Sequence, residues 1–356
     1  MDMSQRAALW VVATGVIAAG LFFLREPLTQ FAMALILWLA IDGLADTLDK
    51  HISFLPRLGA LPIALVIVLS LVALVAFVIV QNLGAMAADY SVYETRLNAI
   101  LADGYAMLGL AGQPPTVANL IARLDPGQIA TEVGQGLRAM ASDVMFTLIF
   151  LGFMFSAAAM MSKKLDYIFG AGPRREAARD VFHRIRVSME RYLWVQTVVS
   201  VIITLLTYIT LTVVGVNNAL FWSFVIFFLN YIPTIGSIVA TVIVVAAALV
   251  QFDSVGHIVA AGVGVGAWQF LVGNFIQPRM TGESLNLSAV VVLLALAIWG
   301  TIWGIAGAFL AAPLTVMLMI VLAQFHSTRW IAILLSADGK PIPENGALSN
   351  SDSQPK

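Results

Sequence analysis

The sequence predicts an all-α polytopic membrane protein with about eight membrane segments. Two of these are expected to be broken or re-entrant helical hairpins, and a small extracytoplasmic amphipathic helical segment lies between spans. Three observations carry the prediction. The 356 residues are 60% hydrophobic and only 11% charged, where a soluble domain carries roughly 25% charged residues. Apolar runs recur along the chain, most of them long enough for a hydrocarbon core of about 30 Å. Polar and helix-breaking residues interrupt the two longest of these runs.

The runs fall at residues 7–24, 28–41, 61–83, 141–161, 192–214, 219–251, 255–276 and 288–325. A single Arg precedes the first run, as in a secretory leader. The second run follows almost at once, so the first is read as a retained anchor. Residues 1–83 are therefore the N-terminal membrane spans. Residues 84–140 are an extracytoplasmic amphipathic helical segment. Tyr93, Leu97, Ile100, Leu101 and Leu108 fall near helical spacing there, as do Val117, Leu120, Ile121 and Leu124. Residues 141–161 form a span and 162–191 a basic cytoplasmic helix. In the latter, Pro173 follows Gly172 as a helix start, and no breaker occurs before Gly215. Residues 192–325 are expected to form the core of the membrane part, with two interrupted hairpins. The polar, Pro/Gly/Ser-rich residues 326–356 read as a disordered tail.

Charge sets the orientation. Lys163, Lys164, Arg174, Arg175, Arg179, Arg184, Arg186 and Arg191 crowd one stretch, which the basic excess assigns to the cytoplasm. Residues 84–140 then lie outside, and both termini are cytoplasmic in a multi-pass protein of the cell inner membrane. The net charge of −1 offers no field for nucleic acid. The absence of cysteine excludes disulfides, Cys-ligated zinc and a Cys nucleophile. His51, His183, His257 and His326 show no metal-ligand spacing, and no Walker-type phosphate loop occurs. No catalytic residue, metal or cofactor is expected.

The interrupted runs hold the candidate site. Ala219–Gln251 would reach about 50 Å as one helix, well beyond a single crossing, so it must fold back. Its break, "NYIPTIG", contains Asn230, Pro233, Thr234 and Gly236. Pro233 cannot donate a backbone hydrogen bond, which is expected to leave carbonyls near Leu229 and Asn230 unpaired. Irregular backbone at membrane depth persists only where protein or a water-filled cavity satisfies it. Asn230, Thr234 and the freed backbone are thus candidates for substrate binding. The alternative is a structural hinge with Asn230 as its cap. Gln269, Asn274 and Gln277 add amides at depth. Gln269 and Gln277 can share a helical face, and interhelical bonding is the alternative role. Pro278 is expected to end that helix. Gly262 and Gly266, and Gly300 and Gly304, have the spacing that lets helices approach closely.

At "NYIPTIG", "NFIQPRMTGESLNLS" and "WGIAGAFLAAPLTVML" the sequence resembles the autoinducer-2 exporter family, the PerM-type predicted permeases. The resemblance covers most of the chain in layout, and its specific motifs lie between Glu190 and Pro313. It implies a transport protein with two helical hairpins, an elevator-like moving domain and a homo-oligomer, a pentamer by family analogy. The family's break motif falls on Asn230, Pro233 and Gly236. Its second motif falls on Gln277, Pro278 and Gly282, and its last on Gly304, Gly307 and Pro313. Thr234 stands where an aromatic is frequent in the family.

The expected function is secondary transport or export of a small polar molecule, with substrate and membrane lipid as the partners. A sodium/proton-type antiporter is the first alternative, weakened because Asp253 and Glu283 are the only acids between Trp194 and Phe325 and both fall in loop-like stretches. An intramembrane enzyme lacks paired aspartates or metal-ligand spacing. A non-transporting structural membrane protein is the alternative of another class.

Overall fold

The computed structural model describes residues 3–51, 57–88, 90–109, 113–122, 126–170, 172–281 and 286–341. Among them there is no β-strand, only one isolated bridge between Leu287 and Ser336. The helices in chain order are α1 (Met3–Phe23), α2 (Arg25–His51), α3 (Arg57–Ala88), α4 (Tyr90–Met107), α5 (Val117–Ala122), α6 (Pro126–Phe169), α7 (Pro173–Val214), α8 (Ala219–Leu229), α9 (Ile235–Gln251) and α10 (Val255–Leu271). A π-helical turn, Val272–Ile276, then leads into α11 (Gln277–Thr281), followed by α12 (Ala289–Ala323) and α13 (Arg329–Leu335). Five helices among the described residues are long and apolar enough to cross a membrane, and 59–74, α8 and α9 are shorter apolar helices.

α7 is a single helix of 42 residues that starts at Pro173, as its sequence predicts. Gly170, with φ 63°, closes the end of α6 and frees the chain to turn into it. Arg175 pairs with Asp166 across that turn at 2.6 Å. Two expectations need correction. Pro278 does not end its helix, because α11 runs through it to Thr281. The proline sits in the first turn of α11, where a missing N–H costs little, and the π-helical turn before it widens the backbone. The tail is not disordered from residue 326. α13 folds onto α12, burying Ala332 with Met319 and Ala323. Trp330, Ile333 and Leu334 give this short stretch the apolar content that the following polar residues lack.

The chain forms two compact units, each assembled from separate segments. The first comprises Met1–Gly43, Thr147–Gln196 and Gln277–Lys356. Its core joins Ala32, Ile36 and Leu39 of α2, Met189, Tyr192 and Leu193 of α7, and Leu310, Ala312, Val316 and Ile320 of α12. Arg186 bridges the buried Asp42 and Glu190, at 2.6 Å to each.

α12 in this unit is a hairpin. Gly304 breaks it with φ 64° and ψ −143°, a conformation essentially restricted to glycine. A Cβ placed on Gly307 would lie 1.9 Å from the Trp299 carbonyl oxygen, although eight residues of straight helix would separate the two by about 12 Å. Trp299 Nε1 also donates to Thr315 Oγ1 at 3.3 Å, which requires antiparallel arms. The second arm is buried from Gly307 through Ile320 at its inward positions, and Pro313 lies within it.

The second unit comprises Leu44–Phe146 and Thr197–Ile276. α8 and α9 form its hairpin. At 11 residues, α8 extends about 16 Å, roughly half the hydrocarbon thickness. This hairpin therefore re-enters rather than crossing twice. α10 packs on both α9 and α7 through its glycines. A Cβ on Gly262 would come within 2.6 Å of Val245, and one on Gly264 within 2.6 Å of Thr210. At the other end of α9, Arg96 of α4 donates to the carbonyls of Phe252 at 2.8 Å and Leu249 at 3.4 Å, and pairs with Asp253. A cation there complements the negative end of the helix dipole.

Candidate functional site

The tip of the α8–α9 hairpin is built by five residues, Asn230 to Thr234. Asn230 continues α8 with its N–H on the Ile226 carbonyl at 3.0 Å. The Tyr231 N–H donates to Phe228 at 3.1 Å and the Ile232 N–H to Leu229 at 2.9 Å. The Leu229 carbonyl is thus taken, contrary to the expectation that Pro233 leaves it open. The tight turn recovers what the proline would have cost. Thr234 then sits at φ 62° and ψ −56°, and the Ile235 N–H closes back on Pro233 at 2.6 Å. This is a γ-turn of the rare, strained hand, adopted by a β-branched residue. Gly236 follows, so close to α8 that a Cβ would lie 1.8 Å from the Leu229 oxygen. Both hairpins therefore share one device: a glycine in the first turn of the returning arm, seated on a carbonyl of the arm before it.

The polar groups at the tip turn inward. Asn230 is 8% exposed and Gln269 7%, and Gln269 Nε2 donates to Asn230 Oδ1 at 3.0 Å. The bond ties the hairpin to α10 with neutral amides alone. Beside it, the hydroxyls of Thr197 on α7 and Tyr231 lie 2.8 Å apart. Tyr231 also meets the Phe227 ring edge to face at 5.7 Å. Amides and hydroxyls of this kind both donate and accept, so the cluster suits an uncharged polar ligand. It offers nothing to neutralise a full charge, whose desolvation would be expensive.

The other expected site residues are placed differently. Thr234 is exposed and its side chain does not cap α9. Asn274 is exposed, and its Nδ2 donates to the carbonyl of Phe270 on its own helix at 2.9 Å. Gln277 belongs to the first unit, where its Nε2 donates to Gln196 Oε1 at 3.2 Å. Gly282 lies outside the described residues, as does Glu283. Among the described residues no group of three or more His, Cys, Asp or Glu side chains could hold a metal.

Sequence reasoning passed over Thr197, Gln196 and Tyr231. Gln196 and Thr197 belong to a polar stripe on α7 that its basic first half and apolar second half obscure, and Tyr231 stands within the "NYIPTIG" break.

Several relatives match this chain over most of its length. A sequence profile described as AI-2E family transporter matches residues 11–327. A predicted transport protein of Haemophilus influenzae (strain Rd) is 29% identical over 343 residues, covering 93% of this chain and 96% of the relative. The AI-2 transport protein TqsA of Escherichia coli K12 is 28% identical over 325 residues, covering 90% of this chain and 92% of TqsA. YhhT, a predicted transport protein of the same organism, is 26% identical over 338 residues, with 92% of each chain covered. With its many apolar helices the chain is a multi-pass membrane transporter and not an enzyme, and it belongs to the AI-2E transporter family.

Proposed function

We propose that the protein exports a small, uncharged polar molecule, of the autoinducer-2 kind, across the bacterial inner membrane by an elevator-like movement. The observation that carries this reading is the buried Asn230–Gln269 amide pair at the tip of a hairpin too short to cross the bilayer. A buried amide pair is costly in an apolar setting unless its hydrogen bonds are used, and a re-entrant tip is where transporters place substrate groups. TqsA, similar over nearly its whole length, is named for transport of AI-2, which supports a neutral polar cargo.

Sodium/proton exchange is the less supported reading. Asp253 is exposed and paired with Arg96, and the buried Asp42 is compensated by Arg186. Asp253 stands just past the end of α9 that is far from the hairpin tip.

Flux of autoinducer-2 in proteoliposomes tests the function. The wild type should carry it, and Pro233→Leu should insert yet carry little, because the helix would run on through the turn. Equal flux in liposomes with and without protein would defeat the reading. We also expect a homo-oligomer, most simply a pentamer. Native mass spectrometry in mild detergent reads the number, and monomer alone would count against it.

A further inference from the structure

α7 carries three hydroxyls that its own fold does not use. Ser200, Thr204 and Thr207 recur at i, i+4 and i+7, so they share one helix face. Ser200 and Thr207 are fully buried. The hydroxyl oxygens of all three are buried with no hydrogen-bond partner in the protein. Hydroxyls in membrane helices commonly return to the carbonyl four residues back. Here Thr210, Thr212, Ser223, Thr241, Thr301 and Thr315 all do so, at 2.7 to 3.0 Å. Ser223 is as fully buried as Ser200, so burial alone does not prevent this local bond.

Helix geometry sets the three hydroxyls near the height of the amide pair. Gln251, at the end of α9, hydrogen-bonds Gly215 and Asn217, just past the end of α7. α10 starts next and runs back along α7, with Gly264 against Thr210 and Trp268 Nε1 donating to Thr210 Oγ1 at 2.9 Å. Gln269 is five residues further along, about 7.5 Å, which brings it near the height of Thr204. On the other side, Thr197 meets Tyr231, the neighbour of Asn230. The opposite face of α7 is apolar and exposed, at Val201, Leu205, Ile209 and Val213. Hydroxyls therefore point toward the hairpin and α10, and aliphatic side chains toward lipid.

Burying a hydroxyl without a partner is unfavourable. Val or Ala would fill the same space without that penalty, so packing does not explain the three residues. We infer that Ser200, Thr204 and Thr207 form a second wall of the polar site. On this reading they hydrogen-bond the neutral cargo, and the water that enters with it, when the unit opens. Only the identity of the cargo rests on the proposed function; the wetting of this face does not.

The cysteine-free chain makes the test direct. Full-length protein carrying Thr204→Cys is reconstituted in liposomes and treated with 2-aminoethyl methanethiosulfonate, beside Leu205→Cys on the lipid face. A thiolate forms readily only where water reaches it, so Thr204→Cys should react at least roughly tenfold faster. Equal, slow reaction at both positions would overturn the inference. Thermal unfolding of the Ser200→Ala/Thr207→Val variant is the second measurement. It should melt at or above the wild-type temperature, because no internal hydrogen bond is lost. A clear fall would mean that the hydroxyls hold partners within the fold, and would also overturn it. Fast labelling that autoinducer-2 does not slow would uphold the hydroxyl wall and count against autoinducer-2 as the cargo.

Discussion

Thr234 and Gly236 show how two residues can make a break in a helix specific. Thr234 holds the strained corner of the turn, and Gly236 leaves room for α8 to lie against it. Replacing Thr234 by glycine should relieve the positive φ and raise the melting temperature, by an amount equivalent to about 1 kcal/mol. Gly236→Ala and Gly307→Ala should lower it by the equivalent of roughly 1–3 kcal/mol, because each new methyl meets backbone rather than a movable side chain. Differential scanning fluorimetry of the three variants separates these effects. If the alanines prove neutral, the close seating of the hairpin arms is wrong. At this scale Pro233 and Gly236 were legible from the residues, since proline and glycine announce breaks, whereas Gly307 was legible only through the family motif. The partner of Asn230 was legible only as one amide among three. Helical spacing put Gln269 and Gln277 on one face and Asn274 off it, and the packing of α10 chose Gln269.

Among the elements, the two hairpins differ in what holds them. α8 and α9 are joined by a turn with its own backbone bonds, while the arms of α12 are pinned by Trp299 and Thr315. The start of α12 is further fixed by the segment after α13. The N–H groups of Ser288 and Ala337 donate to Leu335 and Asn286, and Asn286 Nδ2 donates to Asp338 Oδ1 at 2.7 Å. That bond, followed by the Lys340 N–H, holds the Asp338 carboxyl below the usual carboxylate range. A lowered folded value means that the carboxylate's contribution is present above the ordinary range and lost only as pH falls through the lower one. Limited proteolysis of the C-terminal segment should therefore be insensitive to Asp338 between about pH 5 and 8. Release in that interval which Asp338→Asn abolishes would contradict the assignment. The single α7 helix could be read from Pro173 and Gly215. The ordering of α13 could not, because seven residues gain helical stability only from the α12 surface they cover.

For the whole molecule, composition alone settled the class, since so few charges could not cover a soluble surface. The two units assembled from interleaved segments were not legible, because such contacts depend on which distant faces meet. Orientation rests on the lysines and arginines around α7 and is open to a direct check. A cysteine at Arg175 should react with a membrane-impermeant maleimide only once the cytoplasmic side is exposed, and one at Gln113 should react in intact spheroplasts. The reverse pattern would invert the assigned topology. Transport itself is tested most directly by autoinducer-2 flux in proteoliposomes carrying Asn230→Ala. Loss of one buried neutral hydrogen bond should weaken apparent affinity roughly two- to tenfold while the protein still folds. Unchanged flux in Asn230→Ala and Gln269→Ala, with abolition by Glu283→Gln, would contradict a neutral polar site and point to cation coupling instead.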